Sequence, residues 1–297
     1  MAMRNTLVLI ILLIAPLVVQ AERQIRTTVF HTPSAEVESD ARRIYTVELL
    51  RLALDKTVEE YGLYELRLVS GLSVRRMQQV AQLNKYENFF FKVSYTDQVA
   101  EQFTYAPFPI EFGIVGYRVC FVAPSFLQES NQVTTLQQLQ QHTVGQGLGW
   151  LDLDILQANE VPTVTVSQYL SLFPMVNKNR FDFLCRGINE IKLEMEQFAQ
   201  SEPLTLNTSF IIRYPLPRFF FTNNNNPMAT ARINEGLKRA FTDGSAQALM
   251  LSFYKENIEF VDVQKRAVIP MTNPLIENID KSYEQYVWGI EDLVFDK

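Results

Sequence analysis

Apolar and polar positions along the chain follow two alternating periods. Gln24–Phe30 alternates residue by residue and favours β structure, so it is expected to form a first strand, with His31 at its end. From Ala41 to Tyr61, residues Ile44, Val47, Leu50, Leu54 and Val58 recur at the spacing of one helix face. Gly62 stands where such a helix stops. Tyr64–Val69 reads as a second strand, and Ser73 caps a short helix through Leu83 with Arg75 and Arg76 outward. Phe89–Val93 is too short for a helix and aromatic enough for a buried strand. The order β-α-β-α-β predicts an α/β fold with a mostly parallel sheet and helices on its faces.

A small helix is expected after Tyr95-Thr96-Asp97, then a loop punctuated by Pro107 and Pro109, then a strand over Gly113–Ala123. A second, similar unit begins there, with a glutamine-rich helix at Thr135–Gln141. The stretch Val144–Glu190 carries the most site-like chemistry. A short strand ends in Gly145-Gln146-Gly147, and a helix with Trp150, Leu153, Ile155 and Leu156 follows. After a connecting segment, a strand at Phe181–Cys185 runs into Arg186-Gly187 and Asn189-Glu190. A glycine-rich turn from strand to helix is expected to offer backbone N–H groups to an anionic ligand group. The second strand brings a cation and an acid to the carboxyl edge, where open α/β sheets bind ligands. Beyond it, Asn189–Gln200 reads as a helix, and Phe210–Phe221, kinked by Pro215 and Pro217, as a strand crossing between lobes. Helices are expected at Met228–Phe241 and Ser245–Lys255. The tail closes on a helical pattern that places Tyr283, Tyr286, Val287, Ile290 and Val294 on one face.

Composition narrows the class. With 297 residues, 47% of them apolar, the chain has room for one large domain or two ordinary ones around a real core. Arg4, the apolar run Leu7–Val19 and Val19-Gln20-Ala21 read as a secretory signal cleaved after Ala21, which implies export to the periplasm. The run is shorter than the roughly 20 residues a spanning helix needs. The net charge of −6 and the lack of a Lys/Arg cluster argue against nucleic acid and against anionic membrane surfaces. Cys120 and Cys185 are the two cysteines. They fit a disulfide in an oxidising compartment or two buried thiols in apolar strands, and the sequence leaves both open. His31 and His142 are the two histidines, the latter read as a solvated surface residue; no zinc-like spacing, G-x-G-x-x-G or G-x-S-x-G motif occurs. No cofactor is implied.

In its order of elements the chain resembles the type-two periplasmic solute-binding proteins, bacterial extracellular solute-binding protein family 3, which includes the polar amino-acid binders of ABC transporters. The residues that carry the resemblance are spread over Gln24–Phe260. They are Thr96 leading to Tyr105-Ala106-Pro107-Phe108, then Val144-Gly145-Gln146-Gly147, then Arg180-Phe181-Asp182, and Ile233-Asn234-Glu235-Gly236-Leu237 through Asp243-Gly244 to Phe253-Tyr254. The resemblance implies a two-lobed type II fold with a hinge and an interlobe cleft. Lobe 1 would comprise 22–113 with 218–260 and lobe 2 would comprise 114–217. The tail 261–297 would pack on lobe 1 or dock a partner.

The resemblance also implies a monomer that captures a small ligand for an ABC permease, not an enzyme. A sensor serving a membrane signalling partner is the alternative, and a dehydratase with Glu190 as general acid a lesser one. Two family anchors for an α-amino acid are missing. No Lys or Arg lies between Lys92 and Arg118 to take the ligand carboxylate, and Gly187 stands where an acid would hold its ammonium. An ordinary α-amino acid is therefore not the expected ligand, and Arg186 points instead to a small polar, carboxylate-bearing or otherwise anionic one. It would be bound by Arg186, Asn189, Glu190, Gln146, Gly147, Trp150, Tyr95, Phe30 and His31. Arg186 is the expected anchor, so that Arg186→Ala would lose the ligand and keep the fold.

Overall fold

The computed structural model of the chain describes residues 27–35, 41–198, 201 and 203–295. The expected secretory signal and the first residues of the Gln24 strand lie outside the described residues. Among the described residues no helix is long and apolar enough to cross a membrane.

Twelve strands are described. The first five are β1 (Thr28–Pro33), β2 (Tyr64–Val69), β3 (Phe91–Ser94), β4 (Thr104–Ala106) and β5 (Tyr117–Val122). Then come β6 (Val144–Gly147), β7 (Thr163–Val166), β8 (Leu184–Gly187) and β9 (Thr205–Leu206). The last are β10 (Phe210–Arg213), β11 (Arg218–Thr222) and β12 (Ala267–Pro270). They assemble into two sheets. In the first, β1 and β2 pair in parallel, a bridge between His31 and Phe89 leads to β3, and β11 runs antiparallel between β3 and β4. In the second, β6 and β7 are parallel, a bridge between Val144 and Phe183 leads to β8, and β5 lies antiparallel between β8 and β10. Strand β9 sits beside β5, and β12 extends the far edge in parallel with β10.

The expected parallel sheets are thus mixed, and the reason is connectivity. Strands β5 and β11 each enter a sheet from the other one, and a strand arriving across a hinge enters against the direction of its neighbours. The break at Pro215 and Pro217 separates β10 in the second sheet from β11 in the first, the crossover expected of that stretch.

Local chemistry explains several helix starts and one break. Ser73 and Thr96 cap their helices by accepting from the backbone N–H groups of Arg76 and Val99. Thr135 and Gln138 form a reciprocal capping box. The single helix expected over Ala41–Tyr61 is a helix at Ala41–Asp55 and a turn at Val58–Tyr61. Thr57 breaks it, because its hydroxyl donates to the carbonyls of Ala53 and Leu54 at 3.2 and 2.9 Å. The helix Pro227–Thr242 crosses this first helix at Gly236, where a Cβ would stand 1.9 Å from the Ala53 carbonyl oxygen. The segment read as a connection between the site strands in fact holds β7 and a helix at Leu172–Asn177.

The tail departs from its helical pattern. Only 3₁₀ turns form, at Lys281–Tyr286 and Glu291–Leu293. Its aromatic residues are placed by stacking on the core instead of along one helix face. Tyr283 meets Phe219 at 5.7 Å, Tyr286 meets Phe108 at 4.7 Å, and Trp288 stacks on Phe112 at 5.3 Å. On the way, Asn273 donates to the carbonyl of Pro215 in the crossover, and Asn278 donates to Asp97. The tail therefore adds a strand to the second sheet and returns over the crossover to the first.

Candidate functional site

Strand β8 ends on Arg186 and Gly187, and the helix that follows, Ile191–Phe198, begins after Asn189 and Glu190. One turn further on that helix stands Glu194, 5% exposed. Arg186 is held from three sides. Its Nε donates to both Glu194 oxygens at 2.9 Å, and its Nη2 lies 2.7 Å from Glu194 Oε1 and 2.9 Å from Glu190 Oε2. Its guanidinium stacks 4.4 Å from the Trp150 ring and 5.8 Å from that of Tyr169, whose hydroxyl donates to Glu194 at 2.8 Å.

Glu190 joins the two sheets' sides of the molecule. While one oxygen takes Arg186, the other accepts from Arg42 on the first helix at 2.8 Å. Burial raises its pKa, and Arg186, Arg118, Arg218 and Arg42 outweigh that, holding the carboxyl at about 2. Burial likewise works against the Arg186 charge, and Glu190 and Glu194 outweigh it, so its pKa stands above the ordinary arginine value.

On β5, Arg118 pairs in register with Gly187 and reaches Asp152 at 2.9 Å and the Tyr214 hydroxyl at 2.8 Å. That hydroxyl in turn donates to Asp152. The missing side chain of Gly187 makes the arrangement fit, since a Cβ there would lie 2.4 Å from Asn189 Oδ1 and 2.7 Å from Arg118 Nη1. Below the first sheet's wall, Glu111 is buried against Lys92 at 3.0 Å. Burial raises the Glu111 pKa, and Lys92 and Arg218 outweigh it, so the carboxyl stays ionised below its usual range.

These groups surround a cavity of about 800 Å³ between the sheets. Arg42, Ser94, Arg218, Tyr254 and Asn257 form one wall; Arg118, Trp150, Asp152, Tyr169, Arg186, Asn189, Glu190, Leu193 and Glu194 form the other. Arg42 meets Glu190, Arg186 meets Glu194, Arg118 meets Asp152 and Lys92 meets Glu111. Arg218 makes only long contacts among the described residues, 3.5 Å to Glu111 and 3.4 Å to Ser94.

Of the residues expected at the site from sequence, Arg186, Asn189, Glu190 and Trp150 line the cavity. The others do not. Gln146 and Gly147 are buried in β6; the Gly145 N–H donates to the Phe183 carbonyl, and a Cβ at Gly147 would lie 2.4 Å from the Trp150 indole. These glycines serve the sheet and the seating of Trp150, not an anion cradle. Phe30 is buried beside the Arg232 guanidinium, and His31 is bound through Nδ1 to the Glu87 carbonyl with its ring on Tyr86. Tyr95 packs on Tyr105 and Phe219, while its neighbour Ser94 reaches the cavity. His142 is partly buried between the rings of Phe126 and Phe183, not a solvated surface residue. Cys120 and Cys185, directly opposite on β5 and β8, form a disulfide. Among the described residues no group of His, Cys, Asp and Glu is placed to hold a metal ion.

Sequence reasoning missed Arg42, Arg118, Asp152, Glu194 and Arg218. One signal was present: a lone charge inside an apolar run, as Arg118 is in Tyr117–Val122, needs a buried partner.

No family model and no curated protein matches the chain. Solved structures do. A Bacillus subtilis protein superposes with a TM-score of 0.54 at 17% identity, covering 82% of this chain and 96% of its own. A Salmonella typhimurium periplasmic binding protein of high arginine specificity gives a TM-score of 0.51 at 14%, covering 77% and 99%. Substrate-binding domain 2 of Lactococcus lactis GlnP, in its open conformation, gives 0.52 at 14%, covering 77% and 97%. The chain has the two-lobed type II periplasmic-binding-protein fold. Many of its structural neighbours are amino-acid ABC-transporter binding proteins. At these identities the likeness concerns architecture alone.

The Glu190 arrangement sets an acid limit. Its folded pKa, about 2, lies below the ordinary value of 4.5, so the stability it contributes is complete above pH 4.5 and is lost as pH falls towards 2. That amounts to about 3 kcal/mol at 1.4 kcal/mol per unit. Urea midpoints of the wild type and Glu190→Gln between pH 7 and 2 measure it. The wild type should lose its advantage over the variant in that window, and parallel profiles would exclude the assignment.

Proposed function

We propose that this chain is an exported solute-binding protein that closes around a small polar ligand carrying a carboxylate or similar anionic group, and delivers it as a monomer to an ABC permease. The observation that carries it is the cavity between the two sheets, in which Arg218 is the least engaged guanidinium. A charge so placed favours a ligand oxyanion, for which a guanidinium offers paired donors. Two-lobed neighbours include periplasmic and ABC-transporter binding proteins, which agrees with export and transport.

Capture fits better than catalysis. A dehydratase-like general acid needs a raised pKa, whereas arginines hold Glu190 at about 2. The packing of the tail on its own chain, with Trp288 on Phe112 and Asn273 on Pro215, supports this reading over a sensor that docks a partner through the tail.

Thermal unfolding of residues 22–297 against amino acids, polyamines, organic acids and aromatic acids tests the proposal. A ligand at 100 times its Kd adds about 2.7 kcal/mol of stability. At least one carboxylic acid should raise the melting temperature, and Arg218→Ala should bind it roughly 10- to 100-fold more weakly. No shift across the panel in ligand-stripped protein would overturn the proposal. Unchanged affinity in Arg218→Ala would remove Arg218 as the anchor.

A further inference from the structure

Asn189 is an anomaly among the paired charges of its own wall. The residue is 5% exposed and lines the cavity, yet neither its Oδ1 nor its Nδ2 has a hydrogen-bond partner among the described residues. Buried amides are almost always paired, and each unpaired atom carries a desolvation cost. Every neighbouring charge has found its partner, so the orphaned amide is not a sign of a loosely built wall. It stands beside Gly187, and the space a Cβ would fill there is bounded by Asn189 Oδ1 and Arg118 Nη1.

An asparagine amide presents one acceptor and two donors in a plane. Its complement is a group with an N–H and a C=O on the same side: a primary carboxamide, a lactam or a urea. A carboxylate would bring acceptors alone and leave Oδ1 unpaired; an ammonium or guanidinium would bring donors alone and leave Nδ2 unpaired.

We propose that the ligand is a carboxylic acid bearing such a same-side amide edge, the amide seated on Asn189 and the carboxylate on Arg218. This rests on the solute-binding reading above and assigns the substrate class of that same cavity. Asn189 is then a specificity-determining residue, since a site built to pair a polar group discriminates strongly against analogues that lack it.

Matched acids test it by calorimetry on the full mature chain: succinamic acid against succinate, 5-oxoproline against proline, and N-carbamoylglycine against glycine. In at least one pair the amide-bearing member should bind about tenfold or more tightly than its counterpart. Asn189→Leu, close in size, should shrink that preference to about threefold or less, with a melting temperature no lower than wild type because the amide has no internal partner. Asn189→Asp, which lacks the donor, should shrink the preference likewise, with a lower melting temperature of its own because it buries a carboxylate. Equal or better binding of the counterparts overturns the inference while leaving the protein a solute binder. So does a preference that survives Asn189→Leu, or a marked fall in that variant's melting temperature, which would show an internal role for the amide. If no acid in either set binds, the inference falls, and a silent broad panel would take the solute-binding reading with it.

Discussion

Arg186→Ala is expected to destabilise the protein by about 3–5 kcal/mol at pH 7, the cost of removing one partner from a buried ion pair. The side chain is 8% exposed, and its removal would leave Glu190 with Arg42 and Glu194 with the Tyr169 hydroxyl. Glu190 would keep one ion pair, while Glu194 would be left as a buried carboxyl with only a hydroxyl partner. The Trp150 indole would also lose the cation it stacks on. The sequence alone places Arg186 as the ligand's anchor, removable without harm to the fold. The structure shows why the outcome differs: its donors towards Glu190 and Glu194 are already engaged. Urea unfolding at pH 7 checks the size of the loss, and the double variant Arg186→Met with Glu194→Leu should regain much of it by removing a stranded charge with its partner. A loss below about 1 kcal/mol, ordinary for exposed ion pairs, would mean that the quartet contributes no more than surface charges do.

What was legible in the sequence is what short-range physics decides. Tyr64–Val69 forms a strand over the residues its pattern marks, and Ser73 and Thr96 cap the helices they precede. The crossover at Pro215–Pro217 was readable because proline cannot continue a ladder. Strand β7 was readable and was overlooked: Thr163-Val164-Thr165-Val166 alternates strictly and is β-branched throughout, and it pairs with β6. The tail misled for the opposite reason. Its aromatics repeat at nearly helical spacing, yet Phe108, Phe112 and Phe219, distant in sequence, decide where they rest. The site divided in the same way. Arg186, Asn189, Glu190 and Trp150 belong to one contiguous motif and were found together. Arg42 and Arg218 reach the cavity only because helix and crossover fold onto it, and no local pattern distinguishes them from surface cations. Arg118 and Arg186 also show that a charge within a cleft need not be one offered to the ligand, since pairing is a property of three-dimensional neighbours.

Removing the disulfide should cost about as much as removing Arg186, through another route. Cys120 and Cys185 are separated by 65 positions, and closing a loop of that length restricts the unfolded chain by about 4 kcal/mol in the chain-entropy model. Both sulfurs are buried, so Cys120→Ala with Cys185→Ala leaves no unpaired polar group behind and isolates that contribution. The bridge ties β5 to β8 at the register pair next to Val119 and Arg186, two residues along β5 from Arg118. Both site arginines outside Arg218's wall therefore ride on strands that the bridge fastens together. Native ladder bonds hold the same strands in the folded state, so the double variant should unfold at lower urea while the affinity for the proposed ligand stays close to wild type. Unfolding midpoints of both proteins, with and without reductant, separate the effects. A drop of about 4 kcal/mol in the variant, matched by reduced wild type, supports an unfolded-state origin. A weakened affinity with little loss of stability would instead make the bridge a device for positioning Arg118 and Arg186. A bridge that raises stability only when oxidised suits a chain folding in an oxidising compartment, in keeping with the export proposed above.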